Sequence, residues 1–458
     1  MDDWFCEAAW PGAFASGDFD RTDLLAGTGG RIRDGTARFV APGNTIDRVV
    51  SLRTGRGLLA SNSLACLLAV SAATLDPSYP RYYEDFATIV RGLSAYRKTL
   101  ATSLGSVRLT MCGSLTWNGD AATDAIREPV LRDFGSFASY EGFLRGSLSA
   151  MARNIADPAR RHAYRLLATA SSGYDSPAIA TLARAAGCED ALCIDKDRFG
   201  NVEDGDRIAS LLGLHPVRVE RDAWRKLDGV EVLFIAADGT SEAVPISGAA
   251  ATLPGRVLLT GYHGDKVWSK HVDDLSDQIV RGDSSGLSMS EYRLWTGFLH
   301  CPIAFWGVRQ ISDINRLSNS EEMRAWDVPG DYSRPIPRRI VESAGVPRDA
   351  FGTSKRVTAV AFSEFLTPAS LDRYRAWLVE HRNEWLRHGR LPPPLGQTYE
   401  RLAGAATDTM ERLLQKTPGL WRLAPSLDSP SRLRRHAFAW AVSEVSARYR
   451  DRFTGEIG

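Results

Sequence analysis

Two short loops of the sequence combine an aspartate with glycine and hydroxyl side chains. The first reads Ser-Ser-Gly-Tyr-Asp-Ser at 171–176 and follows an apolar run at 166–170 that is typical of a strand buried on both faces. The second reads Thr-Gly-Tyr-His-Gly-Asp at 260–265, after the apolar residues 257–259. Such loops offer hydroxyl and backbone N–H donors to an anion and an aspartate to a metal ion.

A helix is predicted directly after the first loop. Asp175 or Ser176 can cap it, Pro177 suits its first turn because no intrahelical N–H bond is lost there, and Gly187 is placed to end it. The helix dipole adds a partial positive charge, so the pattern predicts an anion site, and Asp175 favours a Mg²⁺ ion that bridges the loop to phosphate. The alternative is an ordinary strand, turn and helix of an α/β sheet.

Strand-like stretches at 191–194, 217–219 and 257–260 are separated by helical ones. This alternation predicts a parallel sheet with helices on both faces. Because loops at the carboxyl ends of parallel strands meet at one crevice, we expect Asp175 and Asp265 to share a metal-bound polyphosphate.

The overall composition is that of an ordinary globular protein. The chain has 458 residues, of which 44% are apolar and 24% charged, and a formal net charge of +1. This length suits two or three domains. The balanced charge argues against a general affinity for nucleic acid or membrane surfaces, and no apolar run reaches the roughly 18–20 residues of a membrane span. A signal-peptide pattern is lacking, so a cytoplasmic location is predicted.

The six cysteines form no Cys-x-x-Cys pair and are too sparse for a disulfide framework. The sequence also lacks a Gly-x-x-x-x-Gly-Lys loop, a His-Glu-x-x-His motif, and a Gly-x-Gly-x-x-Gly turn after a strand. The common nucleotide and zinc motifs therefore do not explain the two aspartate loops.

Three regions are predicted along the chain. Residues 1–110 alternate short apolar stretches with Gly, Asp and Asn turns, which indicates a β-rich domain, and the limit of this domain is placed at residue 130. Residues 131–370 hold the parallel sheet, and residues 371–458 form a helical extension. Within 431–451 an apolar stripe is predicted to face the core, the alternative being a docking face for an acidic partner.

The loop at 171–176 resembles the Ser-Gly-Gly-x-Asp-Ser pyrophosphate loop of the N-type ATP pyrophosphatases, with Ser172 in place of the first glycine. Together with 260–265 it resembles the asparagine synthetase superfamily, whose second loop reads approximately Ser-Gly-Glu-Gly-x-Asp-Glu. A third similarity is Pro-Ile-Pro-Arg-Arg-Ile at 335–340, followed by Phe-Gly-Thr-Ser-Lys at 351–355. The three motifs lie in order within roughly residues 135–365.

The resemblance implies a parallel-sheet domain like the adenine-nucleotide α-hydrolases and chemistry by adenylation. A substrate carboxylate would attack the α-phosphate of ATP, and an amine would then displace AMP. Asp175 and Asp265 would hold Mg²⁺, and Lys355 would neutralise developing charge, the alternative being a surface lysine. The implied ATP and pyrophosphate ligands are Ser171, Ser172, Gly173, Asp175, Ser176 and Gly261.

One departure from the family concerns its glutaminase domain. Members that take ammonia from glutamine carry a cysteine directly after the initiator methionine, whereas here Asp2 stands there and Cys6 is internal. The nucleophile–amine pair of that mechanism is therefore missing, unless processing exposes Cys6. Because 58–68 still looks like a remnant of that domain, we expect a degenerate glutaminase (Ntn) fold over 1–130, kept for structure.

The other departure is Tyr262, where glutamine-dependent asparagine synthetases have a glutamate. A tyrosine there resembles the β-lactam synthetases, in which a tyrosine and a later glutamate deprotonate the attacking amine; Glu291 is the candidate partner here. A tyrosine base needs a lowered pKa, which a cation such as Lys355 or His263 would supply. The alternative for Tyr262 is a packing aromatic at the lip of the crevice.

The resulting hypothesis is an ATP- and Mg²⁺-dependent, AMP-forming carbon–nitrogen ligase without glutamine hydrolysis. It would join a small-molecule or peptide carboxylate to ammonia or an amine, with intramolecular ring closure, as in β-lactam or lasso-peptide synthesis, left open. Neither nucleic acid nor membrane is an expected partner, and a homodimer is left open. The alternatives are an asparagine synthetase that uses free ammonia and a pseudoenzyme that serves as a nucleotide-binding scaffold.

Overall fold

The computed structural model describes residues 3–330, 332–352, 358–360, 365–381, 383–384 and 434–456. Residues 3–126, called the N-terminal β region below, form two antiparallel sheets with strand orders β1-β2-β3-β8-β9 and β5-β4-β7-β6. The strands are β1 (Asp3–Ala9), β2 (Ala26–Arg33), β3 (Thr36–Val40), β4 (Arg48–Thr54), β5 (Gly57–Ser61), β6 (Thr99–Thr102), β7 (Gly105–Met111), β8 (Gly113–Trp117) and β9 (Ala122–Ile126).

A parallel sheet follows in the middle of the chain, with the order β12-β11-β10-β13-β14. Its strands are β10 (Arg165–Thr169), β11 (Asp190–Ile194), β12 (His215–Val219), β13 (Arg256–Thr260) and β14 (Leu299–Pro302). From the central β10 the chain first builds outward through β11 and β12, and then returns to the other side of β10 for β13 and β14. The strand order therefore reverses between β10 and β13, and such a switch point is where open α/β sheets bind ligands.

The described helices lie around and after these sheets. They are α1 (Leu64–Ser71), α2 (Tyr82–Ala87), α3 (Phe137–Ile155), α4 (Asp175–Ala185), α5 (Gly205–Leu211), α6 (Val230–Asp238), α7 (Gly264–Val267), α8 (Ser290–Thr296), α9 (Ile311–Ser318), α10 (Pro335–Ser343), α11 (Pro368–Glu380) and α12 (Arg434–Glu456). No helix of this described part is both long and apolar enough to cross a membrane.

Alternate residues of the parallel strands feed two separate cores, as a period of two requires. Leu166 and Ala168 of β10 pack in one core with α3, α4 and α10, whereas Leu167 packs in the other with α6 and α12. The first core also receives Ala9 and Ile46, and the second receives residues of β4 and β7. The N-terminal β region thus shares both cores with the parallel sheet.

The structure confirms the predicted α/β class with a β-rich N-terminal region, a parallel sheet and C-terminal helices. It also confirms a core-facing stripe in α12, where Phe438, Val442 and Val445 are buried; Leu433 lies outside the described residues. The likeness of residues 1–130 to a glutaminase domain and the region limits at 130 and 370 stay predictions.

One local prediction is wrong. Helix α4 begins at Asp175, and its N-cap residue is Tyr174, with no side-chain cap hydrogen bond. Neither Asp175 nor Ser176 therefore serves as the N-cap. Both residues lie inside the first turn of the helix, and the carboxylate of Asp175 pairs with Arg334 of another segment.

The packing of α3 against the sheet gives a test of the fold. Leu148 is fully buried in the core of α3 and α4. Leu148→Ala is expected to lower the free energy of unfolding by about 2–5 kcal/mol, because the cavity relaxes only partly. The matched control Leu104→Ala, at a side chain that is 55% exposed, should stay within about 0.5 kcal/mol. Urea unfolding followed by circular dichroism measures both, and equal effects would contradict this core assignment.

Candidate active site

A cleft opens at the carboxyl ends of β10, β11 and β13, at the switch point of the parallel sheet. It encloses about 1400 Å³ of space with its open mouth included. Both aspartate loops line it, as does the 3₁₀ turn Val244–Ala249. Asp175 and Asp265 therefore face one cavity, although 90 residues separate them in the sequence.

The two loops touch at their glycines. A Cβ atom at Gly261 would lie 2.6 Å from the Cβ of Asp175, and one at Gly264 would lie 2.6 Å from its Cγ. His263 between them has a φ of +73°, a left-handed turn that is uncommon for a residue other than glycine. Gly261 thus has a packing role beside Asp175, in addition to the expected role in binding ATP.

Arg334, at the N-cap of α10, lies against the first loop and forms an ion pair with Asp175. Its side chain is 7% exposed and lies over the rings of Tyr332 and Tyr174 at 5.2 and 5.9 Å. Burial opposes the charged form, but the carboxylates of Asp175 and Asp265 outweigh it and raise the pKa of Arg334. A permanent guanidinium therefore faces the cleft, suited to phosphate oxygens.

Tyr174 connects the first loop to α10 and to the segment before it. Its hydroxyl accepts a hydrogen bond from Arg338 at 2.6 Å and donates to the carbonyl of Tyr332 at 3.3 Å. A Cβ at Gly352, where φ is +66°, would lie 2.5 Å from the tyrosine ring. The first loop, α10 and the segment before residue 353 are therefore held together around one buried ring.

Ser172 is not among the residues that line the cleft, and its expected place beside a pyrophosphate stays a prediction. Its backbone N–H and its hydroxyl each donate to Oε2 of Glu203 at 3.0 Å. Of the expected phosphate ligands, the structure brings the others together along the cleft: Ser171, Gly173, Asp175, Ser176 and Gly261. Ser172, which stands where the resembled loop has its first glycine, thus has a structural partner in Glu203.

The lowered pKa that a tyrosine base requires is not found at Tyr262. Burial and the nearby carboxylates of Glu242 and Asp283 raise its pKa, and Arg281 only partly opposes them. Burial and Arg281 also lower the pKa of His263 to about 3, which does not favour His263 as the cation beside Tyr262. Lys355, the other expected source and the predicted catalytic lysine, lies outside the described residues.

Glu291 is not placed with Tyr262. Its buried carboxylate accepts hydrogen bonds from Ser63 at 2.8 Å and Tyr449 at 3.4 Å, between α1, α8 and α12. Burial raises the pKa of Glu291 to about 7, although the Ser63 hydrogen bond and Arg48 oppose it. The carboxylates that act on Tyr262 are instead those of Glu242 and Asp283, which line the same cleft.

Sequence reasoning missed four residues: Arg334, Glu203, Glu242 and Asp283. Only Arg334 had a signal, because it directly precedes the proline-led motif at 335–340. The other three lie in segments without a motif, and only the tertiary structure brings them to the two loops.

The carboxylate oxygens in the cleft fit an Mg²⁺ ion that is bound together with a polyphosphate. Within the described residues, no three His, Cys, Asp or Glu side chains are grouped to hold a metal ion. Mg²⁺, however, is commonly bound through one or two carboxylates plus substrate phosphates, and it retains several waters. Asp175 and Asp265 on one cleft match that pattern better than a resident metal site.

A comparison with known protein families finds no matching family model, and a comparison with curated proteins finds no match. The function must therefore be argued from the geometry of the cleft.

The contact between the loops yields a prediction about Gly264. In Gly264→Ala the new methyl group would press on the carboxylate of Asp175, and this overpacking should lower the free energy of unfolding by about 1–3 kcal/mol. The matched control is Gly142→Ala in α3, where a Cβ meets no atom within 4 Å; it should be neutral or stabilising by up to about 1 kcal/mol. Urea titration measures the free energy of unfolding of both variants. An unchanged value for Gly264→Ala would contradict the close approach of Gly264 to Asp175.

Proposed function

We propose that the protein is an ATP-dependent ligase that activates a substrate carboxylate as an acyl-adenylate and joins it to an amine, with release of AMP and pyrophosphate. The observation that carries the proposal is the meeting of Asp175, Asp265 and Arg334 on one cleft at the switch point of the sheet. An anion-binding helix start, two carboxylates and a buried guanidinium together suit a metal-bound polyphosphate.

The phosphate end of the cleft is supported by the first loop. Ser171 and Ser176 present hydroxyl groups beside the first turn of α4, and Gly173 leaves its backbone open to close approach. Mg²⁺ held by Asp175 and Asp265 would offset the charge on the departing pyrophosphate. Arg334 would then exchange its contact with Asp175 for phosphate oxygens and stabilise the same charge through charge-assisted hydrogen bonds.

The end of the cleft around Tyr262 has a negative field. Glu242 and Asp283 line the cleft, and their carboxylates act on Tyr262 more strongly than the guanidinium of Arg281 does. These carboxylates, which add to the effect of burial on the pKa of Tyr262, would also favour a positively charged amine at that place. We therefore assign this end to the acceptor amine, with Tyr262 as a hydrogen-bond donor and a neighbouring carboxylate as the proton acceptor.

Glutamine hydrolysis is not part of the proposal. Cys6 lies in β1, and burial raises the pKa of its thiol to about 11, although Arg160 opposes this. A thiol of that pKa is almost fully protonated at neutral pH and is a poor nucleophile. The N-terminal β region is accordingly proposed to act through its contacts with the rest of the chain.

Two alternatives remain within the same geometry. An asparagine synthetase that uses free ammonia would form asparagine from aspartate, ATP and ammonium, whereas the broader ligase would need another carboxylate. A pseudoenzyme would bind nucleotide without turnover. The departures of Ser172 and His263 from the motifs of the resembled family fit that alternative. The pair Asp175 and Asp265 favours the enzyme, because a binding remnant does not need both carboxylates.

The decisive experiment is substrate-dependent exchange of radiolabelled pyrophosphate into ATP. With the correct carboxylate, Asp175→Ala and Arg334→Ala should each lower exchange at least about 100-fold, because each removes charge stabilisation of the leaving pyrophosphate. The control is Asp120→Ala, at a side chain that is 92% exposed, and it should retain full exchange. Aspartate, β-amino acids and short peptides form the first panel.

The result is read together with Mg²⁺-dependent ATP binding. Exchange with aspartate and formation of asparagine would support the ammonia-using alternative. Binding without exchange across a wide panel would favour the pseudoenzyme, and absence of ATP binding would refute the nucleotide site itself.

The acceptor end gives a separate prediction. Asp283→Asn should raise the KM for a cationic amine about tenfold, the equivalent of one pKa unit of charge interaction, and should leave pyrophosphate exchange unchanged. Asp273→Asn, which removes an exposed charge outside the cleft, is the control. Steady-state kinetics across a series of amines measures the effect, and an equal KM for both variants would contradict this assignment.

A further inference from the structure

His300 lies directly beneath the acceptor end of the cleft. It sits on β14, is 1% exposed, and its Nε2 hydrogen-bonds with Oγ1 of Thr260 at 2.8 Å. Thr260 is the last residue of β13 and stands two positions before Tyr262. The imidazole also meets the Tyr262 ring edge to face, with centroids 5.6 Å apart and planes at 90°. One side chain therefore holds both the end of the strand and the ring that follows it.

Gly286 completes the seat of Tyr262. At its φ of +87°, a Cβ would lie 2.9 Å from Cδ1 of Ile46, 3.2 Å from Cδ2 of Tyr262 and 3.5 Å from Cε1 of His300. The ring of Tyr262, the imidazole of His300 and the side chain of Ile46, a residue of the N-terminal β region, thus meet around Gly286. A displacement of either neighbour would change where the tyrosine hydroxyl stands in the cleft.

A buried ion cluster lies behind His300. Arg293, 1% exposed, donates to Oε1 of Glu7 at 2.6 Å and pairs with Asp47 at 2.9 Å. Asp47 also accepts a hydrogen bond from Ser290 at 2.7 Å. Glu7 and Asp47 come from the N-terminal β region, whereas Arg293 and Ser290 belong to α8, so the cluster joins the two parts of the chain.

The cluster and the histidine interact electrostatically. Burial lowers the pKa of His300 to about 3, the charge of Asp47 opposes this, and Arg293 and Arg281 add to it. The imidazole is therefore neutral at physiological pH and serves as a hydrogen-bonding and packing group. This agrees with its contacts, which are to a hydroxyl group and to an aromatic ring.

We infer that His300 is a positioning residue for Tyr262, and that the N-terminal β region supports this position through Ile46. This gives that region a role in the acceptor half of the reaction in place of glutamine hydrolysis. The catalytic consequence rests on the proposed function, whereas the positioning itself does not.

The positioning can be measured without any substrate. The full chain is labelled with 3-fluorotyrosine, and the ¹⁹F resonance of Tyr262 is assigned by its loss in Tyr262→Phe. In His300→Leu this resonance should shift or broaden, because both the hydrogen bond and the ring contact are gone. His300→Gln, whose amide can still reach Thr260, should restore much of the original signal. If His300→Leu fails to fold, His300→Gln replaces it as the test variant, and its resonance should then differ only slightly from that of the wild type.

The matched control is Cys301→Ala. Cys301 neighbours His300 on β14 and is equally buried, but its side chain belongs to the core on the other face of the sheet. It should lower stability without altering the Tyr262 resonance. Equal changes in Cys301→Ala and His300→Leu, or no change in either, would overturn the inference.

Ile46→Val tests the contribution of the N-terminal β region, because it removes the Cδ1 atom that lies beside Gly286 together with Tyr262 and His300. It should alter the Tyr262 resonance to a smaller extent than His300→Leu, and an unaltered resonance would remove Ile46 from the inference. If the ligase assignment holds, His300→Leu should slow amide formation about 10- to 100-fold, as a small misplacement does. Pyrophosphate exchange should remain near wild type, and a matching loss there would mark a merely structural role.

Discussion

The contact between Asp175 and the glycines of the second loop is the constraint on which the cleft depends. Gly261 and Gly264 bring the backbone after β13 so close to Asp175 that a methyl group at either position would overlap it. Two strands that are adjacent in the sheet thereby deliver two aspartates to one cavity. The carboxylate of Asp175, which packs this closely against the second loop, requires a compensating positive charge. The guanidinium of Arg334 supplies that charge.

The charged side chains of the cleft act on different groups. Arg334 pairs with Asp175 at the start of α4, whereas the carboxylates of Glu242 and Asp283 act on Tyr262. Under the proposed function, this arrangement would favour a polyphosphate beside Arg334 and a cationic amine beside Tyr262. Burial is the largest cause of the raised pKa of Tyr262, the two carboxylates add to it, and Arg281 only partly opposes them.

The N-terminal β region is built into the rest of the molecule. It contributes to both cores of the parallel sheet, and its Glu7 and Asp47 bind Arg293 of α8. Removing one partner from a buried ion pair leaves an uncompensated charge and is strongly destabilising. The acidic residues of the N-terminal β region are therefore needed to keep Arg293 of α8 paired inside the fold.

Much of the local structure was determined by the sequence alone. The apolar runs before the two loops predicted β10 and β13, the alternation of strands and helices predicted the parallel sheet, and the stripe of α12 predicted its buried face. These signals are local, because they depend on periodicities of two and 3.6 residues and on turn chemistry. They sufficed to place Asp175 and Asp265 at one edge of the sheet.

Only the tertiary structure decided which side chains complete the site. Ser172 was expected at phosphate but binds Glu203, and Glu291 was expected at Tyr262 but lies between α1, α8 and α12. Arg334, Glu242, Asp283 and His300 reach the loops from distant segments. Pairings of this kind depend on long-range packing and on burial, which sets the pKa values, and neither is encoded in the spacing of neighbouring residues.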